Sequence, residues 1–135
     1  VSIRALILEL MARLRDELDL TYLFITHDLA VSKYISDRIA IMYLGKIVES
    51  GPKDLVFSNP RHPYTLALLS AIPIPDPKPR RKRVLLKGEI PSPINPPPGC
   101  RLHPRCPRAK PVCSREEPEL VECEEGHLVA CHLVP

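Results

Sequence analysis

The distribution of proline is the feature that most limits how this chain can fold. Nine of its 17 prolines lie within residues 73–98. Each proline fixes φ and removes a backbone donor, so this stretch favours polyproline II over helix or sheet. We therefore predict a globular part at residues 1–73, a proline-rich basic linker at 74–99 and a small irregular cysteine-rich module at 100–135. Within the linker, only residues 84–86 are expected to pair in an extended form.

The hydrophobic pattern of the globular part predicts an α/β fold. Apolar residues recur at helical spacing from Ile3 to Leu18, which predicts an amphipathic helix over residues 1–18. Residues 22–25 (Tyr-Leu-Phe-Ile) form a short apolar run, typical of a strand that is buried on both faces of a parallel sheet. Because one strand cannot form such a sheet, its neighbours are expected to come from residues before Val1 or from another chain.

Capping and turn residues predict the remaining elements. Asp28 is expected to cap a helix over residues 29–36. Residues 38–49 alternate around Leu44-Gly45 as a β-hairpin. Pro52 and Pro63 are each expected to open a short helix, and the second of these should end at Pro73.

Charge and hydropathy narrow the possible functions. The sequence contains no apolar run near the ~20 residues that span a bilayer, so any tie to a membrane is expected to be peripheral or through partners. A basic linker followed by a cysteine-rich module also fits a metal-binding module for nucleic acid, or a structural interaction module. The module at 100–135, however, carries six glutamates and no aromatic residue, so no nucleic-acid partner is expected.

All five cysteines lie in the last third of the chain, which points to a metal centre. In a reducing compartment, a cluster this dense indicates metal ligation before disulfides. The module has few large apolar side chains, so a bound metal would supply stability that its core cannot. The four predicted ligands are separated by five, six and seventeen residues: Cys100, Cys106, Cys113 and Cys131.

The types of ligand alone do not decide which metal would bind. Four thiolates suit zinc and a 4Fe–4S cluster equally well. The absence of Cys-x-x-Cys pairs counts against zinc, while His103, His127 and His132 keep a mixed zinc site possible. Two disulfides with one free thiol are the remaining alternative.

Several sequence strings resemble a known family. Two of them, at residues 23–29 (Leu-Phe-Ile-Thr-His-Asp-Leu) and 41–49 (Ile-Met-Tyr-Leu-Gly-Lys-Ile-Val-Glu), resemble the end of an ABC-transporter nucleotide-binding domain. Others resemble its oligopeptide/dipeptide importer subfamily, and they lie at residues 59–65 (Asn-Pro-Arg-His-Pro-Tyr-Thr), 68–73, 99–107 and 126–132. The chain as a whole therefore resembles the C-terminal part of the ATP-binding subunit of such an importer.

The resemblance implies a fold, a site and partners. The fold would be the C-terminal part of a P-loop NTPase domain with an incomplete sheet. His27 matches the family's switch histidine, which contacts the γ-phosphate of ATP, whereas Asp28 is expected to be a helix cap. The intact protein would use ATP and Mg²⁺, and the cysteine tail would hold a 4Fe–4S cluster, with zinc as the alternative.

The same resemblance places the protein at the cytoplasmic face of the membrane. It would lie there peripherally, paired with a second ATP-binding subunit and with transmembrane permease subunits, and it would serve a peptide-binding protein indirectly. The five glycines form no Gly-x-x-x-x-Gly-Lys loop for phosphates. The chain by itself is therefore not expected to hydrolyse ATP.

Overall fold

A computed structural model describes residues 3–72 and 84–134 of the chain. The described residues fall into two compact units, one ending at Asp37 and the other beginning at Arg38. This division differs from the predicted boundaries at residues 73 and 99, which rest on composition and stay a prediction.

Two helices make up the regular structure of the first unit, α1 (Ile3–Leu18) and α2 (Leu29–Ile35). Both were predicted, and the described residues confirm them. The Asp28 carboxylate accepts the backbone N–H groups of Ala30 and Val31 at 3.0 and 3.2 Å, which is the geometry of a helix N-cap. The predicted capping role of Asp28 is therefore confirmed.

The buried parallel strand predicted at residues 22–25 does not form among the described residues. These residues adopt neither helix nor strand, and Leu23 and Ile25 expose 92% and 89% of their surface. The physical reason is that a buried strand needs a hydrogen-bonded neighbour, and no strand pairs with this segment among residues 3–72 and 84–134. The side chains of Leu23 and Ile25 consequently lie in solvent.

The second unit is built on a four-stranded antiparallel sheet. Its strands are β1 (Arg38–Tyr43), β2 (Lys46–Pro52), β3 (Val121–Glu124) and β4 (His127–Val129), in the spatial order β1-β2-β4-β3. The cysteine-rich tail thus contributes two strands to the same sheet as the predicted hairpin. The predicted separate, irregular cysteine-rich module is therefore not confirmed.

The β1–β2 hairpin turns at the two residues that the sequence indicated. Leu44 and Gly45 both have positive φ, at 44° and 79°, as a two-residue hairpin turn requires. The register then shifts, because Ile41 pairs with Glu49 whereas Met42 pairs with Ile47. Val48 is the extra residue of this β-bulge, and both Val48 and Glu49 are buried as a result.

Two short helices follow β2 and flank the site described below. They are α3 (Lys53–Ser58) and α4 (Pro63–Ser70), and both begin at the positions that the prolines predicted. α3 lies against β2 and β1, and its Val56 is fully buried. The ring of Tyr43 on β1 contacts that of Tyr64 on α4, with 4.7 Å between ring centroids.

Only part of the predicted linker is described. Residues 73–83, which carry most of its basic residues, lie outside the described part of the chain. The extended pairing expected at residues 84–86 is not present among the residues that the structure describes. Instead, the Val84 N–H donates to Ser70 Oγ at 3.1 Å, and the Lys87 N–H donates to the Arg105 carbonyl at 2.9 Å.

Candidate functional site

Three of the four predicted ligands lie on one tightly folded stretch. The Cys100 N–H donates to the Cys113 carbonyl at 2.8 Å, which joins the two ends of this stretch. Cys106 is held between them by its N–H, which donates to the carbonyl of the buried Leu102 at 2.9 Å. Gly99 makes the close approach possible, since a Cβ there would lie 2.5 Å from the Cys113 carbonyl oxygen.

Cys131, the fourth predicted ligand, comes from a different part of the fold. It lies two residues after the end of β4, and the residue between them, Ala130, donates its N–H to the Val48 carbonyl at 2.9 Å. β4 pairs with β2 through Glu49 opposite Val129 and Ser50 opposite Leu128. The position of Cys131 is therefore set by strand β2.

A backbone N–H group points at one of the four sulfur atoms. The Lys110 N–H donates to Cys113 Sγ at 3.4 Å. Hydrogen bonds of this kind stabilise a thiolate relative to a thiol. They also tune the sulfur ligands of iron–sulfur clusters.

The four thiols lie within electrostatic range of one another. Burial raises the pKa of Cys100 and of Cys131, and the Leu102 and Leu133 N–H groups partly oppose this rise. The charges of Cys106 and Cys113 raise both pKa values further, as does the charge of Cys131 on Cys100. Such mutual repulsion is what several thiols in one small region experience before a cation binds.

The cysteines form no disulfide, and they do not surround one common point as the ligands of a single metal ion would. All five cysteines are free. Among residues 3–72 and 84–134, no three His, Cys, Asp or Glu side chains are arranged to hold a metal ion. The predicted metal centre is therefore not confirmed.

The three histidines that kept a mixed zinc site open all have other partners. His103 Nδ1 lies 2.9 Å from the Cys100 carbonyl, and His132 Nε2 lies 2.9 Å from the Glu116 carbonyl. His127 is fully buried, with Nε2 on the Glu49 carboxylate. The fifth cysteine, Cys123, donates from Sγ to the His127 carbonyl at 3.3 Å.

A fully buried carboxylate, Glu49, joins three segments of the second unit. Its Oε1 accepts the Arg61 N–H and the His127 Nε2–H, both at 2.8 Å, and its Oε2 accepts the His62 N–H at 2.9 Å. Glu49 and the His127 side chain are both 0% exposed. A carboxylate that accepts three hydrogen bonds is satisfied as an anion, so Glu49 holds β2, the turn before α4 and β4 together.

His62 completes this turn as the N-cap of α4. Its Nδ1 accepts the Tyr64 N–H at 3.1 Å, so the ring must be unprotonated at that nitrogen. Burial lowers the pKa of His62 to about 4, and the nearby Glu49 charge only partly offsets this effect. The ring is therefore neutral at physiological pH.

The predicted nucleotide contact, His27, lies in the first unit on the segment before α2. It is exposed, and the adjacent Asp28 is occupied by its capping bonds and by a 2.8 Å ion pair with Arg4. The Val31 N–H is the main cause that lowers the pKa of Asp28; burial opposes it, and the Ala30 N–H and the Arg4 charge lower the pKa further. Asp28 thus has a structural role, as predicted.

A cavity of about 410 Å³ adjoins the cysteine stretch in the second unit. Strand β2 contributes Lys46 and Val48, and the tail contributes Cys100, Leu120 and Ala130. Lys46 and Glu117, which both line the cavity, form an exposed ion pair of 2.7 Å.

Comparison with known proteins then places the chain in a family. Residues 48–113 match the profile of the oligopeptide/dipeptide transporter C-terminal region. The chain is 53% identical, over 98% of its length, to the oligopeptide transport ATP-binding protein AppF of Bacillus subtilis. It is also 53% identical, over 99% of its length, to the dipeptide transport ATP-binding protein DppF of Escherichia coli.

The chain belongs to the family of oligopeptide/dipeptide transporter ATP-binding proteins. The resemblance found in the sequence is confirmed on this point. The chain spans about two fifths of the length of these relatives, 41% of AppF and 40% of DppF. None of the helices in the described residues of this family member is long and apolar enough to cross a membrane.

The sequence patterns did not identify the two buried residues that join separate segments in this part of the chain's fold. Glu49 was included only as the last residue of a hairpin string, and His62 only as part of Asn-Pro-Arg-His-Pro-Tyr-Thr. A signal was available, since a carboxylate in a strand with buried Ile41 and Val48 around it needs several donors. The donors themselves come from distant residues, which the local sequence does not reveal.

Proposed function

We propose that this chain forms the C-terminal part of the ATP-binding subunit of an ABC importer for oligopeptides or dipeptides. The observation that carries this proposal is its 53% identity, over nearly its whole length, to proteins named for oligopeptide and dipeptide transport. The subunit would use ATP and Mg²⁺, pair with a second ATP-binding subunit and bind permease subunits at the cytoplasmic face of the membrane. A peptide-binding protein would deliver the substrate.

Within this function, His27 would contact the γ-phosphate of ATP. Its imidazole is exposed, and a ring N–H can donate to a phosphate oxygen. Asp28, held by Arg4 and by α2, would fix the chain next to it. No residue of this chain is assigned to Mg²⁺ or to the other phosphates.

A chimera tests the role of His27. The segment of Escherichia coli DppF that matches this chain would be replaced by the chain itself, and ATP turnover would be measured in the assembled transporter. We expect His27→Ala to lower turnover by about 100-fold, the effect of losing one preorganised donor to a reacting phosphate. Tyr34→Ala, at an exposed position on α2, is the matched control and should leave turnover within about twofold. Normal turnover in the His27→Ala chimera would contradict the assignment.

We further propose that Cys100, Cys106, Cys113 and Cys131 hold a 4Fe–4S cluster. The bond from the Cys100 N–H to the Cys113 carbonyl, which holds three of them on one folded stretch, supports this, as does the Lys110 N–H that donates to Cys113 Sγ. In such a cluster each thiolate binds a different iron, so the sulfurs need not approach one common point as they must around a single zinc ion. The cluster would supply cross-linking between the cysteine stretch and the segment after β4.

Anaerobic purification of the 135-residue chain tests this assignment. We expect a brown protein whose visible absorbance disappears on chelation, with iron and acid-labile sulfide in equal amounts. Replacing Cys113 by Ser should abolish the colour, whereas Cys123→Ser, which changes a thiol already bonded to the His127 carbonyl, should keep it. A colourless protein that contains zinc would overturn the assignment of the cluster.

A further inference from the structure

The four-stranded sheet has a gap beyond the end of β4. Strands β2 and β3 both pair with β4, so they lie on either side of it, roughly 10 Å apart. β4 ends at Val129, and the chain then turns over residues 131–134. On the two flanking sides, however, β2 continues as residues 46–48, and residues 117–120 lead into β3. Among the described residues, no strand lies between these two segments.

The cavity of about 410 Å³ lies at this gap. Ile47 and Val48 line it from β2, while Pro118 and Leu120 line it from the segment before β3. Ala130, whose N–H donates to the Val48 carbonyl, lines it at the end of β4. Adjacent strands in a sheet are about 4.8 Å apart, so two segments roughly 10 Å apart leave room for one extended chain between them. The volume also lies within the range of small ligand sites, about 300–1,000 Å³.

The backbone of Ile47 is available for pairing at the gap. Tyr43 and Lys46 close the two-residue turn of the β1–β2 hairpin, and such a pair exchanges hydrogen bonds. The bonding side alternates along a strand, so the N–H and the carbonyl of the next residue, Ile47, point away from β1. On that side the bonding of β2 reaches only to Val48, through the Ala130 N–H. Among the described residues, no backbone group pairs with Ile47 there.

The lining of the cavity suits an aliphatic side chain. Its aliphatic residues are Ile47, Val48, Leu102, Leu120 and Ala130. Ile47 is 41% exposed and Leu120 is 39% exposed, so both leave apolar surface in water. An aliphatic side chain bound between them would remove this surface from water, which favours binding.

The charged residues around the cavity leave one carboxylate without an ion pair. Lys46 and Glu117 are paired at 2.7 Å. The hydrogen bond from Lys46 lowers the pKa of Glu117, burial opposes this effect, and the charges of Lys46 and Arg101 lower the pKa further. Glu119 also lines the cavity and is exposed, and it forms no ion pair within residues 3–72 and 84–134. A cation on a bound molecule would therefore complement Glu119.

We propose that this gap binds a short extended segment of a partner protein as an additional strand next to β2. The segment pairs its backbone with Ile47, inserts an aliphatic side chain between Ile47 and Leu120, and carries a lysine or arginine for Glu119. Addition of a strand to a sheet is a common mode of peptide recognition, in which backbone bonds give affinity and side-chain pockets give specificity. Such binding requires no metal at the cysteines.

Titration of the isotopically labelled 135-residue chain with synthetic peptides tests this site. The probes are acetylated and amidated pentapeptides, Ser-Lys-X-Thr-Ser, with alanine, valine, leucine or isoleucine at X. We expect saturable chemical-shift changes at the amides of Ile47, Leu120 and Ala130, with a Kd below about 1 mM for the three larger residues. The alanine peptide should bind at least about threefold more weakly, because it buries less apolar surface. The leucine peptide with an N-methyl group at X, which removes a backbone donor, should bind at least about 10-fold more weakly.

A charge reversal tests the preference for a basic segment. Glu119→Lys should weaken binding of the leucine peptide about fivefold, because an attraction to its lysine is replaced by a repulsion. Glu125→Lys is the matched control, since Glu125 is also exposed and lies in the same acidic tail but does not line the cavity. It should bind the peptide within about twofold of the unchanged chain. Equal affinities in the two variants would overturn the role of Glu119 and the basic character of the segment.

Results with the unchanged chain decide whether the docking site exists. The absence of saturable changes with all four peptides would overturn it, as would binding that N-methylation does not weaken or that shifts only residues outside the gap. If the Ile47 and Leu120 signals instead shift with the concentration of the chain itself, the occupant is a second copy of this chain, which overturns the assignment to a partner segment. Each of these failures leaves the proposed transporter role unaffected, because no substitution is made at His27 or at the cysteines.

Discussion

At the scale of single residues, His62 makes stability depend on pH. Burial lowers its pKa to about 4 from the ordinary value of 6.5, and its Nδ1 must stay unprotonated to cap α4. As the pH falls below about 6.5, the unfolded chain takes up a proton at this histidine while the folded chain does not. The contribution of His62 is therefore complete above about pH 6.5 and is lost as the pH falls towards 4.

We predict that this loss amounts to about 2 kcal/mol between pH 7 and pH 5. His62→Asn is the matched variant, because asparagine also accepts a capping hydrogen bond but does not titrate. Urea unfolding followed by circular dichroism at the two pH values would measure the difference. An equally steep loss in the variant would show that other groups carry the pH dependence.

Among the features of the site, the roles of single residues that depend on local contacts were predicted best from the sequence. Asp28 was recognised as a cap because its side chain precedes a helical pattern, and a cap needs only local donors. Glu49 was not recognised, because its three donors come from Arg61, His62 and His127, which lie far from it in sequence. The roles proposed for His27 and for the four cysteines stay predictions.

At the scale of elements, local signals predicted local structure well. The four helices and the hairpin at Leu44-Gly45 follow from periodicity, prolines and turn residues, which act over a few positions. Strands β3 and β4 were not predicted, because they are four and three residues long and lie among glutamates. What stabilises them is the pairing of β4 with β2 and of β3 with β4, and no local pattern encodes these contacts.

The segment at residues 22–25 gives the clearest test of the fold at this scale. Ile25 is 89% exposed, whereas Val129 on β4 is fully buried. We predict that Ile25→Ala changes the free energy of unfolding of this chain by less than about 0.5 kcal/mol. Val129→Ala should cost about 2 kcal/mol, because it leaves a cavity in the core.

The measurement is equilibrium urea unfolding of each variant of the 135-residue chain. If Ile25→Ala proves as costly as Val129→Ala, the segment is buried in solution and the predicted strand is formed there after all. If Ile25→Ala leaves the free energy of unfolding unchanged and Val129→Ala lowers it, the result agrees with the exposed segment described above.

At the scale of the whole molecule, the sequence patterns and the comparison with relatives lead to the same family. The strings around His27 and Pro63 indicated an importer ATP-binding protein, and the relatives confirm the family. The predicted division into globular part, linker and separate module rests on composition and stays a prediction, while β4 of the tail lies beside β2. Composition shows where the chain becomes rich in proline and then in cysteine, but strand pairing decides which residues fold together.

Peptide uptake by a chimera tests the proposed function most directly. In Escherichia coli cells that lack DppF, the chimera in which this chain replaces the matching DppF segment would be expressed, and uptake of a labelled dipeptide would be measured. We predict uptake well above that of cells without DppF, and its loss again in the His27→Ala chimera. Uptake no higher than in cells without DppF, although the chimera accumulates to the same level as DppF itself, would contradict the proposed function.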